Sequence, residues 1–135
     1  MRVMGVDVGT IRVGIALSDE SATVASPYET VPRGDDVALR LADLARQLSC
    51  ETVVVGLPRN LKGRDTASTR DARDVAHQLS EQGFDVHFWD ERLSSAEAER
   101  VLLAAGRRRE QRREERDRIA AAIILQGWLD ARPLS

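Results

Sequence analysis

Acids at three places in the chain stand where a carboxylate could do chemistry. Asp7 lies between Val6 and Val8, inside the apolar run RVMGVDV (2–8). A carboxylate in such a run costs free energy unless its charge is compensated. A divalent cation compensates it well, because Mg²⁺ and Mn²⁺ favour carboxylate oxygens. Gly5 and Gly9 keep the neighbouring surface low enough for a phosphate to approach. The other reading of Asp7 is a side chain that caps the turn at Gly9-Thr10. Asp90 and Glu91 end a later run, DVHFW (85–89). Adjacent strand residues face opposite sides of a sheet, so at most one of the two turns easily toward Asp7. Its neighbour turns away or pairs with an Arg such as Arg92. Asp117 opens the segment DRIAAAIILQGWLD (117–130) and shares a helical face with Ala121, Ile124 and Trp128. That places it at the margin of a buried stripe. Taken alone, it is a helix N-terminal acid favoured by the macrodipole. Acids at the ends of three elements, drawn together, would make a cation site suited to phosphodiester hydrolysis.

Basic groups flank these acids in the sequence. Arg12 lies one turn from Asp7. The loop Arg59-Asn60-Leu61-Lys62-Gly63-Arg64 follows a buried run and carries three cations, a pattern that binds phosphate or simply decorates a surface. Residues 107–118 (RRREQRREERDR) hold seven Arg interleaved with Glu. One reading is a solvated, salt-bridged helix start. The other has Arg107, Arg108, Arg109 and Arg112 touching backbone phosphates without reading sequence. His77 and His87 are isolated and read as packing or surface residues, and Trp89 and Trp128 as core. Cys50 precedes a buried strand and reads as inert.

The elements that must position these groups follow from periodicity. Residues 2–8 read as a buried strand. Residues 12–18 alternate, with Val13, Ile15 and Leu17 on one face, and form a hairpin with the first strand. A third strand lies within 23–31, where Pro27 favours an edge. Val37, Leu41, Leu44, Ala45 and Leu48 repeat at helical spacing behind Asp35 or Asp36 as N-cap. TVVVGL (52–57) is a strand buried on both faces. Ala72, Val75, Ala76 and Leu79 mark a second helix that stops at Gly83, and 85–89 reads as another buried strand. Ser94-Ser95-Ala96-Glu97 has the form of a capping box, opening a helix that ends at Gly106. The segment 117–130 is the final helix. The order β-β-β-α-β-α-β-α-α gives a mixed sheet with helices on its faces, the element order of the ribonuclease H-like superfold.

Composition bounds the function classes. The 135 residues suit one domain over 1–135. With 42% hydrophobic and 31% charged residues the chain has the balance of an ordinary globule. A net charge of −2 confines any nucleic-acid footprint to local patches. One cysteine excludes an internal disulfide and a multi-Cys zinc site. No stretch approaches membrane length, and the N-terminal run is too short and too broken by charge for a signal peptide. A cytoplasmic protein with no membrane partner is expected.

Together the segments GVDVGTIRVGIALSD (5–19), VVVGLPRNLKG (53–63), DERLSS (90–95) and DRIAAAIILQGWLD (117–130) resemble the YqgF/RuvX family. Its members are described as candidate Holliday-junction resolvases and as nucleases that mature the 5′ end of small-subunit ribosomal RNA precursors. The likeness runs in order through nearly the whole chain. It differs in the serines of DERLSS, where threonines are usual, and in an all-Arg basic segment where Lys is common. The resemblance implies a five-stranded sheet of order 3-2-1-4-5. It implies Asp7, Glu91 and Asp117 as catalytic and metal-holding acids for Mg²⁺ or Mn²⁺. It also implies that Arg12 and the loop after Pro58 touch nucleic acid, either precursor rRNA or branched DNA. In that order the strand before Glu91 lies two strands from Asp7, with backbones roughly 10 Å apart, and Asp90 stays a competitor. A resolvase cutting symmetrically would be a homodimer, whereas an RNA trimmer need only be a monomer.

Two rival classes stand beside this reading. Asp-Val-Gly-Thr followed by Gly-Ile-Ala also resembles the phosphate hairpin of actin-like ATPases and sugar kinases, which need two such domains where this length supplies one. A non-catalytic RNA-binding ribosome-assembly factor retaining the fold would bind RNA without cation-dependent cleavage.

Overall fold

The computed structural model describes residues 1–91 and 109–132, with the backbone alone at 109–113. The expected helix between the Ser94–Glu97 capping box and Gly106 lies outside the described residues, as do Arg107 and Arg108. Five strands form one mixed sheet, β1 (Arg2–Val8), β2 (Arg12–Ser18), β3 (Ala25–Pro32), β4 (Cys50–Leu57) and β5 (Asp85–Asp90), in the order β3-β2-β1-β4-β5. Strands β1, β2 and β3 pair antiparallel, while β4 runs parallel to β1 and β5 parallel to β4. The helices are α1 (Val37–Gln47), α2 (Ala67–Glu81) and α3 (Arg109–Ala131). The strand order is the one the family resemblance implies.

Both sheet faces are covered, which explains why β1 and β4 read as near-continuous apolar runs. Met4, Val6, Ile15, Val53 and Val55 meet Leu41 and Leu79 from α1 and α2. Val3, Ala16 and Val54 meet Ala121, Ile124 and Leu125 of α3. Asp7 shares the α3 face with Val3 and Gly5, because successive strand residues alternate. That alternation decides which helix can reach the acid.

Pro27 does sit on an edge strand. Ile15 pairs with Glu29 but Ala16 with Pro27, so Tyr28 is the extra residue of a bulge beside the proline. The strand β5 is the opposite edge and is only half-buried, with Phe88 exposed, so the expectation of a fully buried strand is corrected. An edge strand has only one strand neighbour, whatever its hydropathy.

The final helix begins by Arg109, so Asp117 lies two turns inside it instead of at its head. Arg, Glu and Gln are strong helix formers, and the polar run extends the apolar segment. A macrodipole explanation of Asp117 therefore falls. Asp36 holds the N-cap position of α1 but makes no side-chain cap bond; it pairs with Arg40 instead. Helix α2 instead carries a reciprocal capping box, Thr66 with Thr69. It escaped the sequence pattern because threonine stands where Glu or Gln is usual. Gly83, at φ +96°, follows the end of α2 as expected. Among the described residues, no helix is long and apolar enough to cross a membrane.

Candidate active site

Asp7 sits in a row of the sheet that has no side chain on either side of it. On β2 its partner is Gly14. On β4 the pair Val6–Val55 brings Gly56 alongside it. Each glycine makes room for one other acid. A Cβ on Gly14 would stand 2.0 Å from the carbonyl oxygen of Asp117, so α3 rests its Asp117 turn directly on β2. A Cβ on Gly56 would stand 3.0 Å and 3.1 Å from Cγ and Cδ of Glu91, and 2.5 Å from Cδ1 of Ile124. The Glu91 side chain thus crosses β4 at the one place where β4 has no side chain on this face. It hydrogen-bonds Asp7 on the far side. A gap of two strands, roughly 10 Å between backbones, is spanned by a single glutamate.

The pairing also separates Glu91 from Asp90. Asp90 faces Arg59, with Oδ2 3.9 Å from Nη1. Asp117 Oδ2 lies 3.5 Å from Nη1 of Arg12. Among the described residues no three His, Cys, Asp or Glu side chains close together around a single cation position. Asp7 and Glu91 form a pair, and Asp117 stands near them in ion-pair contact with Arg12.

All three carboxyls hold their protons more tightly than usual. Burial is the main cause for Asp7, partly offset by the bond from Glu91. Glu91 is pushed up to about 9 by burial, then by the charge of Asp7 and the bond to it, and lastly by Asp90. Burial and then Asp7 raise Asp117, while Arg12 pulls it back. With its carboxyl pushed up to about 9, Glu91 keeps a proton at neutral pH that it can donate to Asp7. A group protonated in the folded state and ionised in the unfolded one loses its stabilising contribution as pH rises. In chelator, the melting temperature is expected to fall between the free-glutamate value of 4.5 and about 9, and Glu91→Gln should flatten that slope. A melting series across this range checks it; a wild-type profile identical to that of the variant would refute the shared proton.

The basic residues divide into builders and exposed cations. Arg12 lines a cleft of about 400 Å³ with Gly9, Thr10, Ile11, Arg116 and Asp117. Arg116 was hidden in the Arg run; its place beside Asp117 in the sequence was the available signal. Arg59 pairs with Asp65 at 3.4 Å as well as with Asp90. The Asn60 side-chain oxygen accepts from the backbone N–H groups of Lys62 and Arg64, and Gly63 takes φ +76°. Arg59 and Asn60 thus shape the loop, and Lys62 and Arg64 are presented on its outside. Arg109 and Arg112 lie in the first turns of α3. His77 pairs with Glu81 and His87 with Asp85. Cys50 is buried, which pushes its thiol up. Gly14 and Gly56 carry no local signal of these roles, since a glycine inside a strand does not say what approaches it.

The profile of the family described as "RuvX: Holliday junction resolvase" matches residues 1–131. A protein of Mycolicibacterium smegmatis named "Putative pre-16S rRNA nuclease" is 45% identical over 139 residues, spanning 97% of this chain and 81% of the relative. One of the same name from Bacillus thuringiensis is 40% identical over 137 residues, spanning 98% of this chain and all of the relative. Among solved structures, T. thermophilus RuvC in complex with a Holliday junction substrate superposes with a TM-score of 0.59 at 19% identity, covering 97% of this chain and 95% of that one. The fowlpox virus Holliday junction resolvase gives 0.58 at 10% identity, covering 98% of this chain and 100% of that one. At such identities these likenesses speak for the fold, and they agree with the ribonuclease H-like order of strands.

Proposed function

The chain belongs to the RuvX family of Holliday junction resolvases, and on that premise we propose a cytoplasmic nuclease that hydrolyses phosphodiester bonds with Mg²⁺ or Mn²⁺. Its substrate would be precursor 16S rRNA, branched DNA of the Holliday-junction kind, or both. The observation that carries this reading is the Glu91 side chain crossing β4 over Gly56 to hydrogen-bond Asp7, with Asp117 near them. Two carboxyls as close as Asp7 and Glu91 do not both ionise readily without a compensating cation, and Asp117 adds a third acid near them. Their oxygens are the donors that Mg²⁺ and Mn²⁺ prefer, so the residues present fit such an ion.

Asp7 and Glu91 would hold the cation once their shared proton is released, and Asp117 would complete the set when Arg12 turns toward a phosphate. A bound divalent ion supplies Lewis acidity at the phosphate and lowers the pKa of a water. Arg12, Lys62 and Arg64 would track the sugar–phosphate backbone, together with the Arg run that includes Arg107, Arg108, Arg109 and Arg112. Arg59 and Asn60 would keep the loop in shape for that contact.

The test offers a four-way DNA junction and a 16S rRNA precursor in Mg²⁺, in Mn²⁺ and in chelator, with molecular mass measured in the same buffers. Cation-dependent cleavage of at least one substrate is expected. A homodimer cutting the junction in symmetric strands would favour the DNA role, and a monomer trimming the precursor the RNA role. Binding of RNA with no cleavage in either cation would replace this reading with a non-catalytic assembly factor.

A further inference from the structure

Arg33 follows β3 and works on the turn between β1 and β2. Its backbone N–H donates to the carbonyl of Ile11 at 2.9 Å. Its Nη1 donates to the carbonyl of Gly9 at 2.9 Å and to Oδ2 of Asp71 at 2.7 Å, and its Nη2 donates to Oδ1 of Asp71 at 2.6 Å. Within the turn, the N–H of Gly9 donates to the carbonyl of Arg12 at 3.1 Å. The guanidinium is therefore locked bidentate by a carboxylate and holds the segment that starts two residues after Asp7 and ends at Arg12.

Asp71 lies in the second turn of α2, and the same end of α2 holds the loop after β4. Thr69 Oγ1 donates to the carbonyl of Pro58, and Arg73 pairs with Asp65. Both surfaces read as phosphate contacts, the Arg12 turn and the Lys62–Arg64 loop, are thus fastened to one helix end.

We propose that Arg33 and Asp71 are positioning residues that set Arg12 for contact with a nucleic-acid phosphate, a proposal that rests on the reading of Arg12 given above. Their side chains are 24% and 31% exposed, and an ion pair so placed adds little to stability. Its consequence is geometric. A lysine at 33 would keep the charge but could not reproduce the planar fork.

The test measures binding of whichever substrate the wild type binds, the four-way junction or the 16S precursor, by fluorescence anisotropy in chelator. Asp71→Asn is expected to weaken binding about tenfold, the worth of one hydrogen bond to a charged group. It should also lower the slope of log Kd against log salt by about one, as loss of a single phosphate contact does. In an Arg12→Ala background it should add nothing; with Lys62→Ala the two losses should multiply. Arg33→Lys should repeat the behaviour of Asp71→Asn, and it stands in if that variant does not fold. Unchanged binding by both variants, or full multiplication with Arg12→Ala, would overturn the proposal. So would failure of both variants to fold, which would make the pair structural. A wild type that binds neither nucleic acid would instead sink the reading of Arg12, and this proposal with it.

Discussion

Asp7→Asn is expected to lower phosphodiester cleavage by at least about a thousandfold, while the protein melts at the same temperature or higher. The first part follows from charge. A cation that stabilises developing charge at a phosphate is worth several kcal/mol, and about 4 kcal/mol is a thousandfold in rate. Asparagine keeps the shape of aspartate but removes the anion at the centre of the acid group. The second part follows from desolvation. Burial is the main reason Asp7 resists ionisation, so the carboxylate costs stability that a neutral amide does not. The asparagine amide can still hydrogen-bond Glu91. Single-turnover cleavage and a thermal melt on one preparation check both halves. Cleavage at the wild-type rate would remove Asp7 from the chemistry. Loss of the fold would show that its carboxylate holds the sheet together.

The second large effect sets two glycines against each other. Gly14→Ala should destabilise the protein by about 3 kcal/mol or more, at the upper end of overpacking costs. In a chain of this length that is a fall of roughly 10 °C. The new methyl would meet the backbone oxygen of Asp117 at 2.0 Å and its carbonyl carbon at 2.4 Å, and backbone cannot rotate away. The nearest atoms to the methyl of Gly56→Ala are Cδ1 of Ile124 and the Cγ and Cδ of Glu91. These are ends of side chains that can turn aside, so melting should shift by only a few degrees. The turn that relieves the clash carries Glu91 off Asp7. A misplacement of about 1 Å in such a group costs on the order of a hundredfold in rate. The two variants should therefore separate, Gly14→Ala losing stability first and Gly56→Ala losing cleavage. Full activity in Gly56→Ala would mean that Glu91 does not act by crossing β4.

This crossing bears on how Asp90 and Glu91 divide their work. Asp90 ends β5 and faces Arg59, which also pairs with Asp65, so one acid of the pair braces the loop that presents Lys62 and Arg64. Glu91, one residue on, reaches the acid group. The strand end thus serves the loop and the acids through adjacent side chains.

The sequence by itself determined the order of the described strands and helices, because side-chain periodicity is a local property and both sheet faces demand it. It marked Asp7 as an acid out of place among valines, since the cost of burying a carboxylate is visible in its immediate neighbours. With the family likeness it also indicated the sheet order. Tertiary structure decided the rest. Nothing local separates Asp90 from Glu91; the choice depends on Gly56, a residue of another strand whose missing side chain opens a passage. The placement of Asp117 depends on Gly14 in the same way, and on a polar Arg run continuing the final helix upstream. Arg33 and Asp71, 38 positions apart in the chain, carry no pattern that would join them. Contacts between distant residues arise from which elements pack face to face, and a linear spacing contains no record of the empty volumes that let them meet.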